Sequence, residues 1–153
     1  MRVEVRIEDV SARILAAVRR QAAIAQVAAV WRPALDKVWE FLRRHPGLRS
    51  DGHNIFLYHH RTRREMPMEI DFGVQVTRQF ERAGEVYAVQ TPAGRVATAV
   101  HIGPYEHMAE THSAIHAWAA ENQLTFAGKS WEIYGDPADD PTKLETRIEY
   151  LIL

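Results

Sequence analysis

One hexapeptide, Lys129-Ser130-Trp131-Glu132-Ile133-Tyr134, concentrates residues that could do chemistry. In a strand, successive side chains alternate between faces, so Trp131 and Ile133 share one face and Ser130, Glu132 and Tyr134 the other. This spacing predicts Trp131 and Ile133 packed beneath helices, with Glu132 and Tyr134 on the opposite face, toward a groove. A carboxylate ringed by aromatic faces attracts lipophilic cations and flat aromatic molecules through charge, cation–π and stacking contacts. A partly desolvated carboxylate also has a raised pKa and can serve as general base or general acid. Spacing alone equally allows Glu132 as a solvated strand residue and Tyr134 as sheet packing.

Other acids are weaker candidates. Glu149 shares a strand face with Leu151 and Leu153, and Glu69 and Asp71 come from an earlier strand. Each reads first as an exposed edge or face residue. His112 and His116 stand at i and i+4, on one side of a helix. Ser113 follows His112 where a zinc protease carries glutamate. His59 and His60 are adjacent and point to opposite faces, and no three or four ligands group together, so no metal is expected. The chain contains no Gly-x-Ser-x-Gly elbow and no glycine-rich phosphate loop. It has no cysteine, which excludes disulfides, a thiol nucleophile, iron–sulfur clusters and cysteine-type zinc sites. No cofactor is expected.

The elements that must position these residues come in two similar sets. Residues 2–8 alternate Val3, Val5 and Ile7 with charged residues, the period of a strand, and a second strand is expected over 12–19. Val27, Val30, Trp31, Leu35, Val38, Phe41 and Leu42 give helical spacing over 23–44. Pro33 should kink that helix or mark the first turn of a shorter one. Strands are expected over 53–60 and 68–76, joined by the arginine-rich stretch 61–65. After a linker at 78–84 the order recurs. Strands are expected over 85–91 and 95–102, a helix from Pro104 to about 122, and strands over 129–134 and 146–153.

The halves, 1–77 and 85–153, can be laid over one another within a single domain, 1–153. Ala12-Arg13-Ile14 matches Gly94-Arg95-Val96, Ala17-Val18 matches Ala99-Val100, and Trp39 matches Trp118. Ile55-Phe56-Leu57-Tyr58 matches Trp131-Glu132-Ile133-Tyr134, which places Phe56 and Tyr58 beside Glu132. A duplication is the better reading of this order. Two helix-on-sheet layers related by a pseudo-twofold leave a groove at their junction, a preferred place for ligands.

Composition agrees with an ordinary globular protein. The chain has 153 residues, 46% hydrophobic and 25% charged, with net charge −1. The first 77 residues carry net +4 and the remainder −5. The arginines are scattered, which argues against nucleic acid. The N-terminus lacks the apolar core of a signal peptide, and no stretch is long enough for a membrane span. A cytoplasmic protein is expected.

Several of these segments together resemble the GyrI-like small-molecule-binding domain, the effector-binding domain also found at the C-terminus of AraC-type and MerR-type regulators. They are Gly94 through Glu106, containing His101-Ile102-Gly103-Pro104-Tyr105; Trp118; Trp131-Glu132-Ile133-Tyr134-Gly135; and Asp136 to Pro141. Leu57-Tyr58 and Met68 to Val74 agree more loosely. The resemblance implies an α+β fold of tandem strand–helix–strand–strand (SHS2-like) halves, with antiparallel sheets and a central cleft. It implies a cleft lined by aromatics around a glutamate, taking lipophilic and often cationic molecules. Glu132 and Tyr134 match the positions with that role, and Tyr105 and Trp118 match motif positions too.

The expected ligand-binding set is therefore Glu132, Tyr134, Phe56, Tyr58, Trp118, Trp131 and Tyr105. Some similar proteins are hydrolases that open cyclopropane-bearing genotoxic compounds, which would make Glu132 and Tyr134 catalytic. Others are related to the gyrase-inhibitory protein, which raises a gyrase-type or regulator-type protein partner. The effector fold uses up the 153 residues, leaving no helix-turn-helix, so direct nucleic-acid contact is not expected.

Overall fold

The computed structural model describes residues 3–61, 63 and 66–153. Among the described residues eight strands and two helices follow one another as β1 (Arg6–Val10), β2 (Ile14–Ala22), α1 (Val27–Arg44), β3 (Arg49–His59), β4 (Met68–Val76), β5 (Tyr87–Gln90), β6 (Gly94–Ile102), α2 (Met108–Glu121), β7 (Phe126–Tyr134) and β8 (Glu145–Ile152). Short 3-10 turns lead into α1 at Ile24–Gln26 and into α2 at Tyr105–His107. All strands join one antiparallel sheet in the order β1-β6-β8-β7-β3-β4-β2-β5. The fold is α+β. Among the described residues no helix is long and apolar enough to cross a membrane.

The two sets of elements meet at the β3–β7 pair, where Phe56 lies opposite Glu132 and Leu57 opposite Trp131. Flanking registers show how the halves correspond. Ile55 pairs with Gly73 on β4, and Trp131 with Glu149 on β8. Leu15 pairs with Gln75, and Val96 with Leu151. Following these pairings outward, Leu15 is the counterpart of Val96. The match of Ile14 to Val96 is therefore one residue out of step. A one-residue slip exchanges the two faces of a strand. Leu15 and Val96 share the helix-free core, whereas Ile14 packs toward α1.

Apolar side chains divide into three clusters. One packs α1 onto the sheet through Leu35, Val38 and Leu42 against Ala16, Val18, Phe56, Ile70 and Phe72. A second packs Met108 and Ile115 of α2 onto Ala97, Ala99, Ile148 and Tyr150. The third, on the other face, contains no described helix residue: Leu15, Ala17, Ile55, Leu57, Val96, Trp131 and Ile133. Its members come from β2 and β6, near opposite ends of the sheet order, so the sheet curls around them. Small side chains allow the close approach. A Cβ on Gly73 would lie 3.0 Å from the Ala16 carbonyl oxygen.

The structure corrects several expectations. Both helices lie on the face that carries Glu132 and Tyr134, and Trp131 and Ile133 point away from them. The groove is thus between the helices, above the sheet, and not on the sheet's other side. The first strand starts at Arg6, while Val3 and Val5 leave the sheet to pack on the α2 cluster. α1 continues through Pro33, whose fixed φ suits a helix even though its ring nitrogen donates nothing. β3 and β7 extend further toward their N-termini than the alternation suggested, with irregular pairing in each extension. The stretch 61–65 falls partly outside the described residues.

Candidate functional site

β3 and β7 form the floor of the cleft, and α1 and α2 its walls. Strand periodicity puts Phe56 and Tyr58 of β3 on the same face as Ser130, Glu132 and Tyr134 of β7. Tyr58 lies opposite Ser130, one diagonal step from Glu132. Its hydroxyl donates to Glu132 Oε1 at 2.6 Å. Tyr134, two residues along the same strand face, donates to the same oxygen at 2.8 Å. From α2, His112 Nε2 lies 2.7 Å from the other oxygen, Oε2. A carboxylate only accepts, so His112 carries a proton on Nε2. Its Nδ1 is 2.7 Å from the Tyr150 hydroxyl, which rises from β8. Helical spacing explains His112: Met108, Ile115 and Ala119 are buried, and His112 lies on that side of α2.

Glu132 is 5% exposed, so its charge depends on these donors. The phenols of Tyr58 and Tyr134 are pushed well above the usual tyrosine range, first by burial and then by the Glu132 charge. They remain protonated and donate. Burial and Glu132 also raise Tyr150.

A cavity of about 620 Å³ opens above Glu132, with Tyr58, Tyr105, His112, His116, Tyr134 and Tyr150 in its lining. Among its described lining residues there is no lysine or arginine, and Glu132 is the one carboxylate. A second cavity of about 850 Å³ adjoins it, lined by Trp31, Trp39, Phe56, Asn54 and Asp136. Tyr105 and Tyr134 line both and stand edge to face, with ring centroids 5.4 Å apart, as a partition. Phe56 meets Tyr134 in a tilted contact, with ring centroids 4.8 Å apart.

Four of the six expected aromatics thus meet at Glu132 or its partition: Tyr58, Tyr134, Tyr105 and Phe56. Two do not. Trp131 is 1% exposed on the helix-free face, where Nε1 donates to Glu149 Oε1 at 2.8 Å. Trp118 packs on the α2 cluster and lines neither cavity. The other acids lie elsewhere too. Asp71 is held by Arg19 (2.9 Å), His59 (2.7 Å) and the Tyr87 hydroxyl. Glu149 is held by Trp131 and Arg147, and Glu69 pairs with Arg19 near the surface. Sequence reasoning missed His112 as a Glu132 partner, and also Tyr150, Trp31 and Trp39. In the sequence, the i, i+4 spacing of His112 and His116 reads only as a metal signal.

The family model for the GyrI-like small molecule binding domain matches residues 3–152. The chain belongs to the GyrI-like family. No curated protein sequence matches this GyrI-like chain. Among solved structures it is similar to the EcmrR C-terminal domain, with a TM-score of 0.82 at 19% identity, covering 100% of this chain and 99% of that one. It is similar to SAV2435 bound to tetraphenylphosphonium, with a TM-score of 0.73 at 11% identity, covering 98% and 94%. A hydrolase from Listeria innocua shares the fold at a TM-score of 0.58 and 14% identity, covering 98% and 92%. At these identities the likeness to solved structures is one of fold.

Proposed function

We propose that this GyrI-like domain binds hydrophobic or cationic, drug-like small molecules between α1 and α2, with Glu132 supplying the charge. The observation that carries this reading is the buried Glu132 carboxylate in a cavity lined by aromatic rings and free of arginine and lysine among its described residues. A buried anion held by neutral phenols keeps its field, because hydrogen bonds stabilise charge without cancelling it. A ligand cation would supply the missing opposite charge, and Tyr58, Tyr105 and Tyr134 would meet its apolar surface. A neighbour of the same fold binding tetraphenylphosphonium supports this ligand class.

The test uses two dyes of one shape, one cationic and one neutral, titrated by fluorescence against the wild type and Glu132→Gln. The substitution should weaken the cation at least tenfold and the neutral dye by less than about twofold. Equal loss for both would overturn the reading.

A hydrolase is the second reading, favoured by the contact of a carboxylate, two phenols and an imidazole in one cavity. Glu132 would take a proton from water as the water oxygen bonds to a strained cyclopropane carbon. The ring C–C bond would break, its electron pair passing to a conjugated carbonyl oxygen that Tyr134 hydrogen-bonds and that then receives the proton. Mass spectrometry of a cyclopropane-bearing alkylator separates the readings. A water adduct that disappears with Glu132→Gln means catalysis, and unchanged compound means a binder.

A further inference from the structure

Among the described residues Glu132 has one titratable base in direct contact, His112, and that imidazole is itself held on both sides. Nε2 lies 2.7 Å from Glu132 Oε2 and Nδ1 lies 2.7 Å from the Tyr150 hydroxyl. We infer that His112 is a specificity-determining residue that exchanges its proton for a ligand cation, so that the cleft takes permanent lipophilic cations in place of a proton on His112. The inference rests on the cation reading of Glu132 proposed above.

The hydrogen-bond geometry permits both charge states. With His112 neutral, Nε2–H donates to Glu132 and the Tyr150 O–H donates to Nδ1. With His112 charged, both ring N–H groups donate and the Tyr150 oxygen accepts. Tyr150 then turns its own proton toward Ser130, its cross-strand partner. Ser130 Oγ in turn lies 2.7 Å from His60 Nε2. Neither state strands a buried donor or acceptor, so the change of charge carries no hydrogen-bond penalty.

The surrounding groups leave this role to His112. β3 contributes Tyr58, the residue just past its end is His60, β7 contributes Glu132 and Tyr134, and β8 contributes Tyr150. α2 adds His116, and the turn before it Tyr105. α1 and the turn before it present Ile24, Val27 and Ala28 to the cavity, none of them titratable. The tyrosines 58, 134 and 150 are all pushed upward and stay neutral. His60 and His116 are pushed below the ordinary imidazole range, first by burial and then by repulsion from neighbouring imidazoles. Of these three cavity imidazoles, only His112 touches a carboxylate. When His112 is charged, the pair it forms with Glu132 is neutral, and an entering cation also meets an imidazolium. When His112 is neutral, the cation meets a net negative charge. A ligand that prefers one protonation state must shift that equilibrium, so binding expels the proton.

Calorimetry tests this with tetraphenylphosphonium, a permanent cation without an N–H group. Titrations run at each pH between about 5 and 8, the imidazole range, in two buffers of different ionisation enthalpy. The wild type should release up to about one proton per cation at the acidic end. Its Kd should fall by up to about tenfold per pH unit and then level off. His112→Gln, which keeps an N–H donor for Glu132, should show neither effect and should bind more tightly than the wild type at acidic pH. His116→Gln should still release the proton. Cation binding by the wild type with no proton release overturns the inference and leaves the Glu132 reading standing. Persistence of the release in His112→Gln does the same. No binding at any pH overturns the Glu132 reading and this inference with it. The wild-type proton count decides the matter even if His112→Gln does not fold.

Discussion

The two faces of the sheet each bury carboxylates, and they treat them in opposite ways. On the helix-free face Asp71 is 0% exposed and gripped by Arg19 through both carboxylate oxygens, at 3.1 and 2.9 Å. Glu149, on the same face but with two strands between them, is 0% exposed and held by Arg147 and Trp131. On the helix side Glu132 is held by two phenols and an imidazole. An arginine is always charged and spends a carboxylate's field inside the protein. Phenols stabilise the anion without neutralising it. Burial alone therefore does not decide whether a carboxylate's field reaches beyond its partners. The charge type of the partner does.

Removing Asp71 should give the largest effect in this comparison. Asp71→Ala leaves Arg19, His59 and Tyr87 without their shared acceptor. Loss of one member of a buried ion pair costs 3–5 kcal/mol, and Arg19 can reach solvent, so a loss of about 3 kcal/mol is expected. Chemical denaturation measures it. A loss below about 1 kcal/mol would erase the contrast between the faces.

The same network has a pH signature. Burial alone would raise the Asp71 pKa, but hydrogen bonds from His59, Arg19 and Tyr87 hold it at about 2, against an ordinary 3.8. A depressed pKa means that folding is stabilised above the unfolded value and that this stability is lost as pH falls through the folded value. Asp71 should thus contribute on the order of 2 kcal/mol that disappears between about pH 4 and 2. Asp71→Asn should flatten the stability profile over that window in acid denaturation. An unchanged slope would assign the acid sensitivity to other carboxylates.

Much of this was legible in the sequence because strand alternation and helical spacing are local. The alternation placed Glu132, Tyr134, Phe56 and Tyr58 on one face together, and they are together. Which face the helices cover is not local. Trp131 and Ile133 are as apolar as anything under α1, and they bury themselves in the curl of the sheet instead. The same non-locality sent Trp131 to Glu149 and shifted the β2–β6 match by one residue. His112 was hidden because its partner lies 20 positions away, on another element. Its helical phase was readable, but the strand it faces was not. Asp71 and Glu149 read as surface residues because nothing in their neighbourhood announces Arg19 or the Trp131 indole.

Trp131→Phe and Tyr134→Phe make a smaller, paired test. Trp131→Phe removes one hydrogen bond to a buried charge on the helix-free face, which should cost about 1.5–3 kcal/mol of stability. Cation affinity in the folded protein should stay within about twofold, since Trp131 touches neither cavity. Tyr134→Phe leaves Glu132 with one donor fewer on Oε1 and should alter cation affinity by several-fold, with a stability loss of about 1.5 kcal/mol, the low end for a hydrogen bond to a charge, because Tyr58 still donates to that oxygen. Thermal denaturation alongside fluorescence titration separates the two. If Trp131→Phe weakened the cation as much as Tyr134→Phe, the faces would not be independent.

The smallest expected effect is on the stability of Glu132→Gln, and it is the sharpest discriminator. The glutamine oxygen can still accept from Tyr58 and Tyr134. Its amide N–H₂ would meet His112 Nε2, and the neutral imidazole can answer by moving its proton to Nδ1 and donating to the Tyr150 oxygen. Every hydrogen bond survives, while the cost of burying a charge disappears. The two changes oppose each other, so the net should lie within about 1 kcal/mol of zero, a shift of no more than about 4 °C in Tm for a domain of this size. Asp71→Asn has no such rearrangement available, because Arg19 offers only donors. The amide nitrogen would face a guanidinium. Melting both variants side by side therefore asks whether Glu132 is held for the fold or for a ligand. A drop for Glu132→Gln as large as that for Asp71→Asn would make it a structural carboxylate like the other two. A near-zero shift, with cation binding lost, assigns its charge to the cleft and not to the fold.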